Sequence, residues 1–352
     1  MMNKKEEDHD EIKILEEKLT GVILPPELDL YLHNSLDRLA RMRETQNFLA
    51  EYNSLTHYLD WVLALPWNKE SPDNLDLGRA QAVLDKNHYG MAKVKNRLLE
   101  YLAVRTLIQK QKEKRMASVL CFIGLPGLGK TSVASSIAEA LGRAFIRIPM
   151  GGLGEVAQLR GLPRYLPSAE PGQIIKGLRR AGCRNPVILF DEIDRVVDEG
   201  RSAVMGALLE ILDPEQNGAF NDYFIDYPFN LSEVLFHCSA NNTRGISNAV
   251  LDRLEIIEMP AYTDEEKIFI GRDYLLPRAL KETGLTTAKI TIEEDLWPKI
   301  IRPLGYDAGI RTLDRTIHGI CRKIALKIVK ENGYDRVFLL NEKNIKDFLP
   351  TW

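Results

Sequence analysis

The chain has 352 residues, 45% hydrophobic and 28% charged, the balance of a folded protein large enough for two or three domains, which argues against intrinsic disorder. Its 47 basic and 50 acidic residues nearly cancel to a net charge of −3, so overall charge gives no support to a nucleic-acid or anionic-membrane partner. Cys121, Cys183, Cys238 and Cys321 are dispersed without a C-x-x-C pair, the pattern of free thiols in a reducing compartment. The charged start, Met1 to Lys18, has no apolar h-region. No later run approaches the roughly 18 apolar residues of a spanning helix, so a cytoplasmic location without a membrane partner is expected.

In chain order, Pro25-Pro26 opens a stretch in which Leu32, Leu36, Leu39 and Met42 recur at helical spacing, and Tyr52, Leu55, Tyr58, Leu59, Val62 and Leu65 continue it. Two amphipathic helices are expected, their stripes forming intramolecular core. Pro66-Trp67 and the polar stretch Asn68 to Asp76 read as a linker. Leu77 to Leu84 and Ala92 to Gln109 read as helices, and the basic run Lys110 to Arg115 as a solvated helix end. From residue 119 short apolar runs alternate with helical segments: Val119–Ile123, Ala144–Pro149, Val187–Asp191, Val234–Ala240 and Glu255–Met259. Such alternation predicts a parallel sheet of five strands in an α/β domain. After Pro260 the pattern turns helical: Thr263-Asp-Glu-Glu266 has the form of a capping box, helices are expected to Lys330, and a short hairpin around Val337 to Leu340. The predicted domains are a helical segment, 1–66, an α/β nucleotide-binding domain, 67–262, and a smaller mainly helical domain, 263–352.

Between the first strand and a helical stretch lies Gly124-Leu-Pro-Gly-Leu-Gly-Lys-Thr131, a complete G-x-x-x-x-G-K-T loop. Its glycines let backbone N–H groups wrap a triphosphate, Lys130 can reach the β- and γ-phosphates, and Thr131 can offer a hydroxyl to Mg²⁺. Pro126, Gly127, Gly129 and Ser132 complete the expected phosphate cradle. Val187-Ile-Leu-Phe-Asp191-Glu192 ends a strand in two carboxylates, one suited to Mg²⁺ through water and the next to polarising an attacking water. Asn241 follows another strand and is expected at the same sheet edge. Arg253 could reach a neighbouring subunit's nucleotide, and Arg311 could close over the phosphates from the helical domain.

Together these motifs resemble the AAA+ ATPases, and much of the chain resembles the ATPase region of Lon-type ATP-dependent proteases. Tyr58-Leu-Asp-Trp-Val-Leu-Ala-Leu-Pro-Trp67, Leu84-Asp-Lys-Asn-His-Tyr-Gly90, Leu208-Leu-Glu-Ile-Leu-Asp-Pro-Glu-Gln-Asn217, Ala261-Tyr-Thr-Asp-Glu-Glu-Lys267, Tyr274-Leu-Leu-Pro277 and Asp307-Ala-Gly-Ile-Arg-Thr-Leu-Asp-Arg315 carry the resemblance. It implies an AAA+ P-loop fold with a helical lid, Lys130 and Thr131 as Walker A, Asp191 and Glu192 as Walker B, Asn241 as sensor 1, Arg253 as arginine finger and Arg311 as sensor 2. It also implies His88, Tyr89 and Gly90 near the adenine, ATP and Mg²⁺ as ligands, a hexameric ring, and unfolded proteins as substrates in protein quality control. Lon proteins continue into a serine-lysine peptidase domain; no such dyad can be assigned here, so a peptidase is expected only in cis, if the chain is a fragment.

Gly151 to Gly172 departs from the family pattern. Tyr165-Leu166 stands about one residue early for the aromatic-aliphatic pair that grips substrate in the ring's pore, and Pro163 and Pro167 bracket it. Tyr165 and Leu166 are nonetheless the expected pore contacts, with packing against Leu162 or Leu166 as the structural alternative for Tyr165. The rival function is a nucleotide-dependent ring scaffold that translocates nothing.

Overall fold

The computed structural model describes residues 12–111, 118–285, 290–302, 305, 307–331 and 337–350. Most of the basic run Lys110 to Arg115, at 112–115, and residues 1–11 of the charged start lie outside them. Helix α1 covers residues 12–20, and α2 (Pro26–Arg41) begins at the proline pair, which presets helical φ where no N–H is needed. It is followed by α3 (Phe48–Val62). Leu28, Leu32 and Leu36 of α2 and Tyr58, Leu59 and Val62 of α3 are buried and continuous with the core beneath one face of the main sheet. The stripes are thus intramolecular core, as their spacing predicts.

The stretch 68–76 is an extended strap tied down along its length rather than a loose connection. Asp73 holds Arg143 through two bonds, Nε at 2.5 Å and Nη2 at 2.8 Å, with both side chains almost wholly buried. Ser71 exchanges hydrogen bonds with Asn185, and the Asn74 amide donates to Leu141 O. A pair so desolvated adds little net stability, but removing one partner strands a charge and costs about 3–5 kcal/mol. The strap leads to α4 (Leu77–Asn87), whose N-cap Asp76 accepts from Gly78 N, and to α5 (Ala92–Gln111).

The α/β core follows: β1 (Val119–Ile123), α6 (Lys130–Leu141), β2 (Phe145–Pro149), α7 (Ala157–Arg160), α8 (Gln173–Ala181), β3 (Val187–Asp191) and α9 (Arg201–Leu212). A small antiparallel pair, β4 (Phe220–Asn221) with β5 (Pro228–Phe229), precedes β6 (Leu235–Ala240), α10 (Asn248–Leu251) and β7 (Leu254–Glu258). The five long strands form one parallel sheet in the order β2-β3-β6-β1-β7. The fold is therefore the α/β one expected, each strand lying within a residue of its predicted span. Helices α4, α5 and α6 cover one face, and α8 and α9 the other.

The C-terminal part holds α11 (Asp264–Ile270), α12 (Leu276–Glu282), β8 (Ile290–Ile292), α13 (Trp297–Ile301), α14 (Arg311–Glu331), β9 (Phe338–Leu340) and α15 (Ile345–Phe348). Thr263 and Glu266 form the reciprocal capping box their spacing predicts, at 3.2 and 2.9 Å. A π-turn at Gly271–Leu275 joins α11 to α12. The expected hairpin at Val337–Leu340 is corrected: β9 pairs in parallel with β8, with Ile290 opposite Phe338, so its partner lies two helices away.

Candidate active site

Strands β1, β3 and β6 are neighbours, and their C-terminal ends converge where the chain reverses direction across the sheet, the position at which open α/β sheets form a ligand crevice. The loop after β1 carries Gly127 at φ 84° and Gly129 at φ 87°, left-handed values that a β-carbon would strain. This loop delivers the N-terminus of α6 to the crevice, so helix-end N–H groups and the partial positive charge of the helix face any anion there. Lys130, 7% exposed, folds back so that Nζ donates to Gly124 O at 2.5 Å, Leu125 O at 3.1 Å and Asn241 Oδ1 at 3.0 Å. Burial holds its pKa below the ordinary lysine value, against the opposing pull of Asp191, Asp194 and Glu192.

Asp191 is buried at the end of β3, and all its visible contacts are donors. Its Oδ2 accepts from Thr131 Oγ1 at 3.2 Å and from Arg147 Nε at 2.6 Å, and its Oδ1 accepts from the Ser239 hydroxyl. The register explains the last contact: Phe190 opposes Cys238, so the next step along β3 faces Ser239. Ser239 Oγ also accepts from the Glu192 N–H at 3.0 Å, which helps hold Glu192 at φ 61°, ψ 48°. A non-glycine residue in that region carries about 1–2 kcal/mol of strain, and here the turn brings the Glu192 side chain into the crevice lining.

Asn241 stands just beyond β6; its Oδ1 accepts from Lys130, while its Nδ2 is buried with no hydrogen-bond partner. A buried donor without a partner costs about 1–3 kcal/mol, a cost that an anionic oxygen in the crevice would remove. The roof comes from the C-terminal part. Ile310 N donates to Gly127 O at 3.1 Å, and Gly309 lies so close to the loop that an added β-carbon would sit 2.6 Å from Pro126 O. Arg311, the first residue of α14, thereby lines the same cavity of about 280 Å³ as Pro126, Ser132, Lys130 and Glu192.

Ten of the residues singled out from sequence thus meet in one crevice: Pro126, Gly127, Gly129, Lys130, Thr131, Ser132, Asp191, Glu192, Asn241 and Arg311. His88, Tyr89 and Gly90 do not line it. His88 is buried with Nε2 2.9 Å from Ser136 Oγ on α6, and burial lowers its pKa to about 4. Tyr89 stacks on Phe269 of α11 with centroids 4.0 Å apart, so this segment occupies the joint between the two parts. Arg253 is also outside; its Nη2 pairs with Asp213 at 3.1 Å, its side chain is half exposed, and it cannot serve its own crevice from there. Tyr165 is 85% exposed, so packing against Leu162 or Leu166 does not account for it, whereas Leu166 is 37% exposed.

Arg147, Arg278 and Ser239 are among the site residues that the sequence reading does not single out. Arg147 is visible only once the β2–β3 register sets it opposite Leu189, two residues before Asp191 on the same strand, and Arg278 of α12 reaches the cavity through helix packing. Ser239 had a usable signal, since it lies two residues before Asn241 and shares its face of the strand.

The arrangement suits a nucleoside triphosphate: a buried ammonium, helix-end donors, a free amide and a roofing guanidinium surround one anion-sized space. The residues also fit a hard cation, because Thr131 Oγ1 and Asp191 Oδ2 offer oxygen ligands 3.2 Å apart. Among the described residues, no helix is long and apolar enough to cross a membrane.

Residues 120–261 match the family model of the ATPase family associated with various cellular activities (AAA), and residues 281–337 match that of the Lon protease AAA+ ATPase lid domain. The chain is 43% identical to the Lon protease of Heliobacterium modesticaldum over 348 residues, covering 99% of this chain and 42% of the relative. It is 45% identical to the Lon protease of Dictyoglomus thermophilum over 329 residues, 94% of this chain and 41% of the relative. Lon protease 2 of Thermus thermophilus is 42% identical over 353 residues, 98% of this chain and 43% of the relative. The chain therefore spans about two fifths of the length of these curated relatives. With a phosphate loop, paired acids and a lid arginine closing on one crevice, this chain belongs to the Lon family and carries its AAA+ ATPase module, nucleotide-binding domain and lid together.

Proposed function

We propose that the crevice hydrolyses ATP with Mg²⁺ and that the work drives unfolding of protein substrates by a ring of these chains. The carrying observation is the meeting of Lys130, Thr131, Asp191, Glu192 and Asn241 with a lid arginine around a cavity that also holds an unpartnered amide. In this reading Lys130 exchanges its loop carbonyls for β- and γ-phosphate oxygens. Thr131 Oγ1 and Asp191, directly or through water, would hold Mg²⁺, which would supply positive charge against the phosphate oxygens during γ-phosphoryl transfer. Glu192 takes the proton of the attacking water, Asn241 Nδ2 holds a γ-phosphate oxygen or that water, and Arg311 stabilises charge from the lid. Arg253, facing outward, is assigned to the next subunit's nucleotide, which makes the site complete only in an assembly, hexameric by family likeness. His88, Tyr89 and Gly90 are assigned to the base end of the nucleotide because they line the joint between the two domains, proposed to divide near residue 262.

Tyr165 and Leu166 are proposed to grip substrate, supported by the near-complete exposure of an aromatic ring on a loop. Four buried free thiols suit a reducing compartment, and we place the protein in the cytoplasm. Steady-state ATP turnover and fluorescent-nucleotide binding test the chemistry. Glu192→Gln is expected to retain binding and lose at least about 10²-fold in turnover, while Lys130→Ala loses binding. A tagged substrate that the wild type unfolds and Tyr165→Ala does not supports the motor reading. Robust hydrolysis with no unfolding by either would transfer the protein to the scaffold reading.

A further inference from the structure

The loop bearing Tyr165 is anchored at both ends but has little beneath it. Leu162 N donates to Glu170 O at 3.1 Å, and the Asp222 carboxylate accepts from Gly172 N at 2.8 Å, so the two ends are fixed. Under the middle lies a cavity of about 500 Å³ between the loop and α3, lined by Asn53, Ser54 and His57 on one side and Leu166, Ser168 and Ala169 on the other. Packing therefore does not determine where the tip sits. Arg164 does touch something: its guanidinium carbon lies 3.9 Å from the ring centroid of Tyr58 and 5.7 Å from that of Tyr31. Its Nη2 donates to Tyr31 Oη at 3.2 Å and lies 3.9 Å from Asp226 Oδ2.

Tyr58 is a fixed anchor. It is 2% exposed, and its hydroxyl donates to Ile225 O at 2.8 Å. A second contact of the same kind stands one helical turn on, where the Arg179 guanidinium carbon of α8 lies 4.3 Å over the Trp61 ring. The helical pair α2–α3 is thus clasped to the α/β domain by two arginines stacked on aromatic rings, and one of them immediately precedes Tyr165.

We propose that Arg164 is a positioning residue through which α2 and α3 set the place of the substrate-gripping loop. The inference rests on the reading of Tyr165 as the grip. The cation holds the backbone on the helix side, which turns the next side chain outward and accounts for the exposure of Tyr165 beside a tethered Arg164. It also makes the N-terminal helices part of the gripping device: a load on Tyr165 is carried into Tyr58 and Tyr31 rather than only into the sheet.

The test uses the whole chain and compares wild type, Arg164→Met, which keeps the stem and loses the cation, and Arg164→Lys. Amide hydrogen exchange over residues 162–169 is expected to quicken by up to about 10-fold in Arg164→Met, as for loss of a partly buried cation–π contact, and less in Arg164→Lys. Basal ATP turnover is expected to stay at the wild-type value and the melting temperature to fall only slightly, as loss of one such contact requires in a chain of this size, while the substrate concentration for half-maximal unfolding rises and is partly restored in Arg164→Lys. Loop exchange unchanged in Arg164→Met overturns the tether. A faster loop with unaltered half-saturation overturns its role in positioning. Normal unfolding by Tyr165→Ala would instead remove the underlying reading of the grip, leaving the exchange result to judge the tether alone.

Discussion

Gly309 is where the lid rests on the phosphate loop, and Gly309→Ala measures how much that seating contributes to the site. The added β-carbon would lie 2.6 Å from Pro126 O, 2.8 Å from Gly127 C and 2.9 Å from Gly127 Cα. The shortest of these is about 0.8 Å inside the 3.4 Å where ordinary contact begins, and all three atoms are backbone, which cannot rotate away. The lid must therefore lift by nearly 1 Å, weakening the 3.1 Å bond from Ile310 N to Gly127 O and carrying Arg311 with it. Overpacking of this kind costs about 1–3 kcal/mol of stability. A charge-assisted contact to phosphate is worth about 1.5–3 kcal/mol, so partial loss of Arg311 should weaken nucleotide binding about 10-fold. A misplacement of about 1 Å at a catalytic group costs up to about 10²-fold in rate. Fluorescent-nucleotide titration, steady-state turnover and a melting curve read the three quantities separately. Wild-type affinity and turnover in a folded Gly309→Ala protein would refute the claim that the lid contact places Arg311.

Arg253→Ala should leave nucleotide affinity within about threefold and cut turnover in the assembled state by up to about 10³-fold, since trans-acting arginines contribute mainly to the transition state; normal turnover in a verified assembly removes the assignment. Arg147 Nε occupies Asp191 Oδ2, the oxygen proposed to hold Mg²⁺, so Arg147→Met should lower the Mg²⁺ concentration that half-saturates nucleotide binding by about threefold, and a rise would contradict such competition. Two buried histidines give the protein an acid-sensitive stability: burial lowers the folded-state pKa of His88 to about 4 and of His237 to about 3, against an ordinary 6.5. Protons then prefer the unfolded chain, so this stability is full above about pH 6.5 and is lost as pH falls towards 4 and 3, by up to about 3 kcal/mol for His88. Both ring nitrogens of His237 are without hydrogen-bond partners, so His237→Leu should be neutral or stabilising at pH 7 and should flatten the decline. Equal acid sensitivity of the variant, followed by chemical denaturation between pH 7 and 4, would contradict this.

The sequence made the crevice legible because its parts sit at the ends of apolar strands, where a phosphate loop, a carboxylate pair and an asparagine each follow a run such as Val187–Phe190. The long strands could be read for the same reason, since sheet centres are buried on both faces and show as continuous apolar stretches. What stayed hidden depends on contacts between distant segments. The parallel pairing of β8 with β9 involves three residues on each side, too few for a period-2 signal, and their partnership crosses two helices. The polar composition of 68–76 reads as a connection, whereas the Asp73–Arg143 pair that fixes it needs a partner 70 residues away. The partners of Arg164 are tyrosines on α2 and α3, more than 100 residues away, and nothing in its local sequence announces a stacking surface.

The register that sets Asp191 beside Ser239 has a consequence for how this enzyme should fail. Asp191 and Ser239 belong to fully buried adjacent strands, and Asn241 stands at the very end of one of them, so these groups can separate only if the sheet itself comes apart. Arg311 is held over them by a roof whose backbone link to the phosphate loop, among the described residues, is the one bond from Ile310 to Gly127. Heat or denaturant would then act in two stages: nucleotide affinity fades first as the roof loosens, while the pocket floor keeps its geometry until global unfolding. Inactivation in the first stage would be reversible on cooling, and excess nucleotide, by holding the roof down, would protect against it.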